Sequence, residues 1–208
     1  MTRPATTPES RDEALRAGLR LEYFSLTWNV LEFVVGMIAG LAAGSVALIG
    51  FALDSIAEAS SAAALLWRLR AERRGKVSED VEGRAIRLVA AAFFLLAAYI
   101  SVRAVADLLN QARPDESIPG LVIATVSLIV MPWLARRKRA VAVTLGSRAM
   151  EADSLQTMLC TYLSAVLLAG LLANSLFGLW WADPLAALVI AWIAVREGLE
   201  LWRAEDHH

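Results

Sequence analysis

Apolar stretches of about 20 residues, separated by short polar connections, run along nearly the whole chain. They cover Leu21–Leu41, Val46–Leu66, Leu88–Leu109, Ile118–Leu134, Val141–Leu172 and Leu179–Trp202. Each is long enough as a helix to cross a hydrocarbon core of about 30 Å. The pattern predicts an all-α polytopic membrane protein with six transmembrane helices. Met1–Arg20 is polar and charged and carries no cleavable signal. Residues 1–20 therefore read as an N-terminal tail, 21–203 as one six-helix membrane domain, and 204–208 as a short C-terminal tail.

Composition sharpens this picture. Of 208 residues 58% are hydrophobic, and the mean hydropathy of +0.54 is too high for a soluble domain. The net charge of −1 conceals an asymmetry along the chain. Arg3, Arg11, Arg16 and Arg20 precede the first helix. Arg68, Arg70, Arg73, Arg74, Lys76, Arg84 and Arg87 fill the second connection, and Arg136-Arg137-Lys138-Arg139 fills the fourth. The third connection has only Arg113. Basic residues in short loops mark the cytoplasmic side, so both termini are expected there, which an even number of spans allows. Beside membrane helices such basic runs signal topology rather than nucleic-acid binding. The chain is thus expected in the cytoplasmic (plasma) membrane. Cys160, the single cysteine, lies inside an apolar run and gives no disulfide framework.

Some residues answer to packing. Gly36, Gly40 and Gly44 form a small-residue ridge for close helix approach. Trp133, Trp180, Trp181 and Trp202 read as interfacial anchors. Pro132 is expected to end or bend helix 4, and Asp183-Pro184 has the form of a helix start.

The chemistry lies in carboxylates placed within apolar runs, each costing about 2.5–3.5 kcal/mol at a helix centre. Asp54 and Glu58 are spaced i, i+4 and so share one face of helix 2. Their mutual repulsion is relieved by protonation or by a cation between them; an ion pair with Arg103 or Arg148 is the alternative. Turning about 100° per residue, helix 5 places Asp153, Gln156 and Cys160 on one face and Glu151 away from it. With helix 5 starting near Val141, Asp54 and Asp153 are expected at comparable depth near mid-membrane. Such donors from two antiparallel helices suit a tetrahedral or octahedral metal site, while packing for Cys160 and interhelical hydrogen bonding for Gln156 remain alternatives. Glu22, Asn29 and Glu32 share one side of helix 1. Glu22 reads as solvated near the helix end, and Asn29 and Glu32 as residues lining a path or supporting the ligands.

These residues resemble the cation diffusion facilitators, six-helix metal exporters with a D/H-x-x-x-D pair on helix 2 and another on helix 5. The resemblance runs from about Trp28 to Trp202. It is carried by GSVALIGFALDS at helix 2, EADSLQTMLC at helix 5, and the W-x-D-P step Trp181-Ala182-Asp183-Pro184. Glu58 stands where the family usually has Asp, and Gln156 and Cys160 stand where it has His and Asp. The chain also stops soon after helix 6, leaving no room for the cytoplasmic domain most relatives carry. The resemblance implies efflux of a divalent metal cation by alternating access with proton antiport. Asp54, Glu58 and Asp153 are then expected as primary ligands, with Gln156 and Cys160 completing or tuning the shell.

A thiolate favours Zn²⁺, Cd²⁺ or Co²⁺ and oxygen donors favour Mn²⁺; Zn²⁺ is expected first, with Cd, Co, Mn and Fe as further cargo. No resident cofactor and no enzymatic activity are expected, and the implied partners are protons, the lipid bilayer and a second copy of the chain. Two rival readings are an intramembrane Mg²⁺-dependent phosphotransferase and a non-transporting scaffold or metal sensor. The first needs acids near a head group and bases to hold phosphate. The second needs the acids paired with Arg103 and Arg148.

Overall fold

Short capping signals, rather than long loops, divide the apolar chain into its helices. Gly44 adopts φ +66° after α1, Pro8–Ala43, and the next residue, Ser45, accepts the Leu48 amide at 3.1 Å to begin α2, Val46–Arg73. The same Gly-Ser device recurs between α4, Ile118–Leu145, and α5, Arg148–Phe177. There Gly146 has φ 66° and Ser147 accepts the Met150 amide at 3.3 Å. Glycine closes a helix because it enters the left-handed region without a Cβ penalty, and serine opens one by accepting an orphan amide. Ser117 caps α4 likewise through the Gly120 amide, at 3.1 Å. The remaining helices are α3, Asp80–Leu109, and α6, Ala182–Asp206.

The computed structural model describes residues 8–73 and 80–206. Among these there is no strand, and the protein is an all-α polytopic membrane protein. Helices α1, α2, α4 and α5 are long and apolar enough to cross a membrane. They form a closed ring: α1 packs on α2 and α4, and α5 packs on α4 and α2. The α3–α6 pair lies against this ring through α2 and α5. One apolar cluster, including Phe51, Ile100, Met131, Leu167 and Ile190, joins all the helices except α1 through its fully buried members. Ala39 brings α1 into the same cluster.

Several boundaries differ from expectation. α1 begins at Pro8, so part of the expected tail is helix. Its Ala14, Leu15 and Leu19 are buried in a second cluster with Leu69, Leu145 and Met150. Pro132 lies inside α4 and does not end it. The basic run Arg136–Arg139 is not a loop but the continuation of α4, and α5 starts at Arg148 rather than near Val141. Residues 1–7 of the tail, Arg74 and Lys76 of the second connection, and His207 and His208 lie outside the described residues.

Of the glycine ridge, Gly36 and Gly40 face α2: a Cβ at Gly36 would stand 3.0 Å from the Ala52 Cβ, and one at Gly40 would stand 2.9 Å from the Ile49 side chain. Gly44 has no such neighbour and serves as the helix terminator instead. Asp183 does not cap its own helix. Its carboxylate accepts the Val46 and Ala47 amides at 3.0 and 3.4 Å, and the Ser45 hydroxyl as well, so α6 caps the start of α2.

Candidate metal site

The ring of α1, α2, α4 and α5 encloses acids at two levels. α1 and α4 approach the end carrying Arg68, Arg70, Arg136, Arg137 and Arg139 in opposite senses, as do α2 and α5. This end is called the basic end below.

The level nearer the basic end is organised by Lys138. Leu134, Ala135, Lys138, Ala142 and Leu145 are buried on one face of α4, while Arg136, Arg137 and Arg139 are exposed. The helical turn therefore drives one base of the run inward. Its side chain has 0% exposure. The ammonium donates to Asp153 Oδ2 at 2.5 Å, Ser25 Oγ at 3.0 Å and Thr157 Oγ1 at 3.3 Å. Glu22 Oε2 lies 3.2 Å away in an ion pair. The other Asp153 oxygen accepts from Ser61 at 2.9 Å. A buried ammonium is tolerated only when opposite charge and acceptors replace its water, and α1 and α5 each supply a carboxylate and a hydroxyl.

The second level contains Asp54, Cys160 and Glu32, all buried. Glu32 Oε1 accepts from Trp28 Nε1 at 2.7 Å and from the Ser127 hydroxyl. Its Oε2 lies 3.3 Å from Ser55 Oγ. Helices α1, α2 and α4 thus meet around one carboxylate. Asn29 is buried with its amide nitrogen 3.4 Å from Ser25 Oγ, and its carbonyl oxygen has no hydrogen-bond partner among the described residues.

Glu58 belongs to this second level, one turn from Asp54 on the side toward the basic end. It is 1% exposed, and neither carboxylate oxygen finds a donor in hydrogen-bonding geometry among the described residues. The Thr157 hydroxyl and the Cys160 thiol on α5 are its polar neighbours. Cys160 also lies within electrostatic range of Glu32 and Asp54.

The expected equality of depth between Asp54 and Asp153 is not found. Asp153 contacts Ser61, which lies about 10 Å further along α2 than Asp54 at 1.5 Å per residue. The reason is the start of α5: because the helix begins at Arg148, Asp153 is near its end rather than at its middle. Cys160, about 10 Å further along α5, is the residue that reaches the level of Asp54 and Glu58. Gln156 is half-buried. Among the described residues, no three His, Cys, Asp or Glu side chains come together to hold one ion in this conformation, so the five expected donors are not assembled here.

Glu151 is exposed, in keeping with its place off the helix face. Glu22, expected to be solvated, is buried. Arg103 turns to Asp107 at 3.8 Å within its own helix, and the Arg148 side chain lies outside the described residues. The base that meets the acids is Lys138. Its i, i+4 spacing from Leu134 and Ala142 was the available signal, obscured because the surrounding arginines make the run read as a loop.

A helical ring enclosing buried acids, a thiol and a buried ammonium defines a membrane protein with charge at its centre. The cation efflux transmembrane domain matches residues 23–205, and the chain belongs to this family. It is 33% identical over 95 residues to the cation-efflux pump FieF of Shewanella oneidensis, a stretch covering 45% of this chain and 31% of that protein. The chain therefore aligns with under a third of that relative's length.

Proposed function

We propose that the chain exports a divalent cation of the zinc type from the cytoplasm, by alternating access coupled to proton return. The observation that carries this reading is Glu58: a carboxylate buried in a membrane helix, one turn from Asp54 and beside Cys160, with no donor in hydrogen-bonding geometry among the described residues. A buried acid there is costly unless it shares a proton or a metal ion. Asp54 and Glu58 supply charge, Cys160 supplies a soft donor, and Gln156 completes the shell as α2 and α5 rotate together. Asn29 and Glu32 line the same level. In the conformation described the donors stand apart; metal entry draws them together, and release favours reprotonation, because metal and protons compete for the same oxygens and sulfur.

Membership of the cation efflux family supports transport, and the short match to a cation-efflux pump agrees with it. The chain acts as a homodimer in this reading. The exposed apolar stripe Leu95, Tyr99, Val102 and Leu109 on α3 supplies a membrane-embedded contact, and a mass measurement in lipid discs that found only monomer would remove that part.

The test is Zn²⁺ uptake by proteoliposomes containing the purified full chain, read by entrapped metal- and proton-sensitive dyes. Zn²⁺ flux with opposing proton flux is expected, lost in Asp54→Asn. Flux equal to that of protein-free liposomes rejects the reading.

A further inference from the structure

Lys138 places a covalently attached cation beside the proposed cargo level. Its ammonium is surrounded by four oxygens from two helices: Glu22 and Ser25 on α1, Asp153 and Thr157 on α5. That is the shell a bound metal ion would take, two carboxylates and two neutral oxygens, and the chain fills it with its own amine. Ser61 on α2 ties Asp153 from the far side at 2.9 Å. Glu22 retains an oxygen, Oε1, that is buried and has no hydrogen-bond partner among the described residues. An acid pair so placed would attract a divalent ion were the ammonium absent.

We infer that Lys138 is a tethered cation that occupies the Glu22–Asp153 level and excludes the metal from it. It thereby confines the cargo to the Asp54–Glu58–Cys160 level and sets the stoichiometry at one ion per chain. Asp153 is then the counter-ion of Lys138 rather than a metal ligand, and Lys138 is a positioning residue for the site. The inference rests on the transport reading above.

Two consequences separate it from a purely structural ion pair. Removing the ammonium alone leaves two buried acids that a metal ion satisfies. Removing Asp153 alone leaves the ammonium with Glu22 only and makes that level one charge more positive beside Glu58, where like charge weakens metal binding. Removing both together restores the wild-type net charge at that level, with Glu22 as the one acid left there, and leaves the cargo donors untouched.

The experiment is a double-mutant comparison on the detergent-purified full chain, with Zn²⁺ stoichiometry and affinity from titration calorimetry and flux from proteoliposomes. Wild type is expected to bind one Zn²⁺ per chain and Lys138→Gln two. Asp153→Asn is expected to bind one at least tenfold more weakly. Lys138→Gln/Asp153→Asn is expected to bind one within about threefold of wild type and to recover flux. If Lys138→Gln does not fold, recovery of affinity in the double variant decides alone.

A double variant as weak as Asp153→Asn makes Asp153 a direct ligand and overturns the inference. So does a folded Lys138→Gln that binds a single ion, or an Asp153→Asn variant with wild-type affinity. A wild-type chain that binds no divalent ion rejects the transport reading itself, and the tethered-cation role falls with it.

Discussion

The Asp183 carboxylate at the start of α6 accepts the Val46 amide at the start of α2 at 3.0 Å. It also takes the Ala47 amide and the Ser45 hydroxyl. A negative group at a helix N-terminus meets both the orphan amides and the positive end of the helix dipole. Because α2 carries Asp54 and Glu58, this contact fixes the axial position of the acids against α6.

Removing that cap therefore has a measurable cost. Asp183→Ala is expected to destabilise the folded protein by about 2–3 kcal/mol, combining a lost cap with buried donors left unpaired. Asp183→Asn, which keeps one acceptor oxygen, should lose less. Unfolding in mild detergent measures both, with amide exchange at Val46 and Ala47 as the local readout. An Asp183→Ala variant as stable as wild type, with those amides still protected, would show that the cap contributes nothing.

The residues explain what was legible in the sequence. The helices could be read because apolar length alone specifies a membrane helix, and α2 begins at Val46, as expected from its pattern. The ends were harder, because polar residues at the rim remain helical when one face packs. Ala14, Leu15 and Leu19 hold the first turns of α1 against Leu69 and Met150, although the surrounding sequence is charged. Within the site, the i, i+4 relation of Asp54 and Glu58 was visible directly. The depth of Asp153 was not, since it depends on where α5 starts. Lys138 was hidden for the same reason: a four-residue basic run reads as a loop until helical phase sorts its members into one buried and three exposed.

Sidedness is tested at the exposed members of that run. Arg137 is exposed near the basic end and Glu116 is exposed in the connection between α3 and α4. In a Cys160→Ser background, Arg137→Cys should react with an impermeant thiol probe only from the cytoplasm, and Glu116→Cys only from outside. Reversed labelling of the pair would invert the topology. Lys138 itself is unsuitable for the probe because it is buried.

Close packing of α1 on α2 is tested at Gly40. A Cβ there would stand 2.9 Å from Ile49 Cγ1 and 3.0 Å from the Ile49 backbone nitrogen. The backbone atom has no rotamer into which to move, so Gly40→Ala should separate the helices and cost about 1–3 kcal/mol. Thermal unfolding in detergent reads the loss. A variant as stable as wild type would mean that α1 shifts freely on α2.

The final prediction concerns the division of labour between Glu58 and Cys160. Glu58 has no donor in hydrogen-bonding geometry among the described residues, and the Thr157 hydroxyl and Cys160 thiol lie beside it. One brings charge to the proposed site and the other brings polarisability. Glu58→Gln keeps the volume but removes the charge, so Zn²⁺ flux and its accompanying proton release should both fall by at least tenfold. The fold should persist, because no buried ion pair to Glu58 is broken. Cys160→Ser keeps a small polar donor but replaces soft sulfur by hard oxygen. Transport should survive, with preference moving away from Zn²⁺ and Cd²⁺ toward Mn²⁺. Competition of each metal against Zn²⁺ in the proteoliposome assay reads that shift directly. Full Zn²⁺ flux in Glu58→Gln would remove the acid from the metal's path. An unchanged metal order in Cys160→Ser would leave the thiol as packing against α2, since a small buried hydrophobe needs no ligand role to occupy that position.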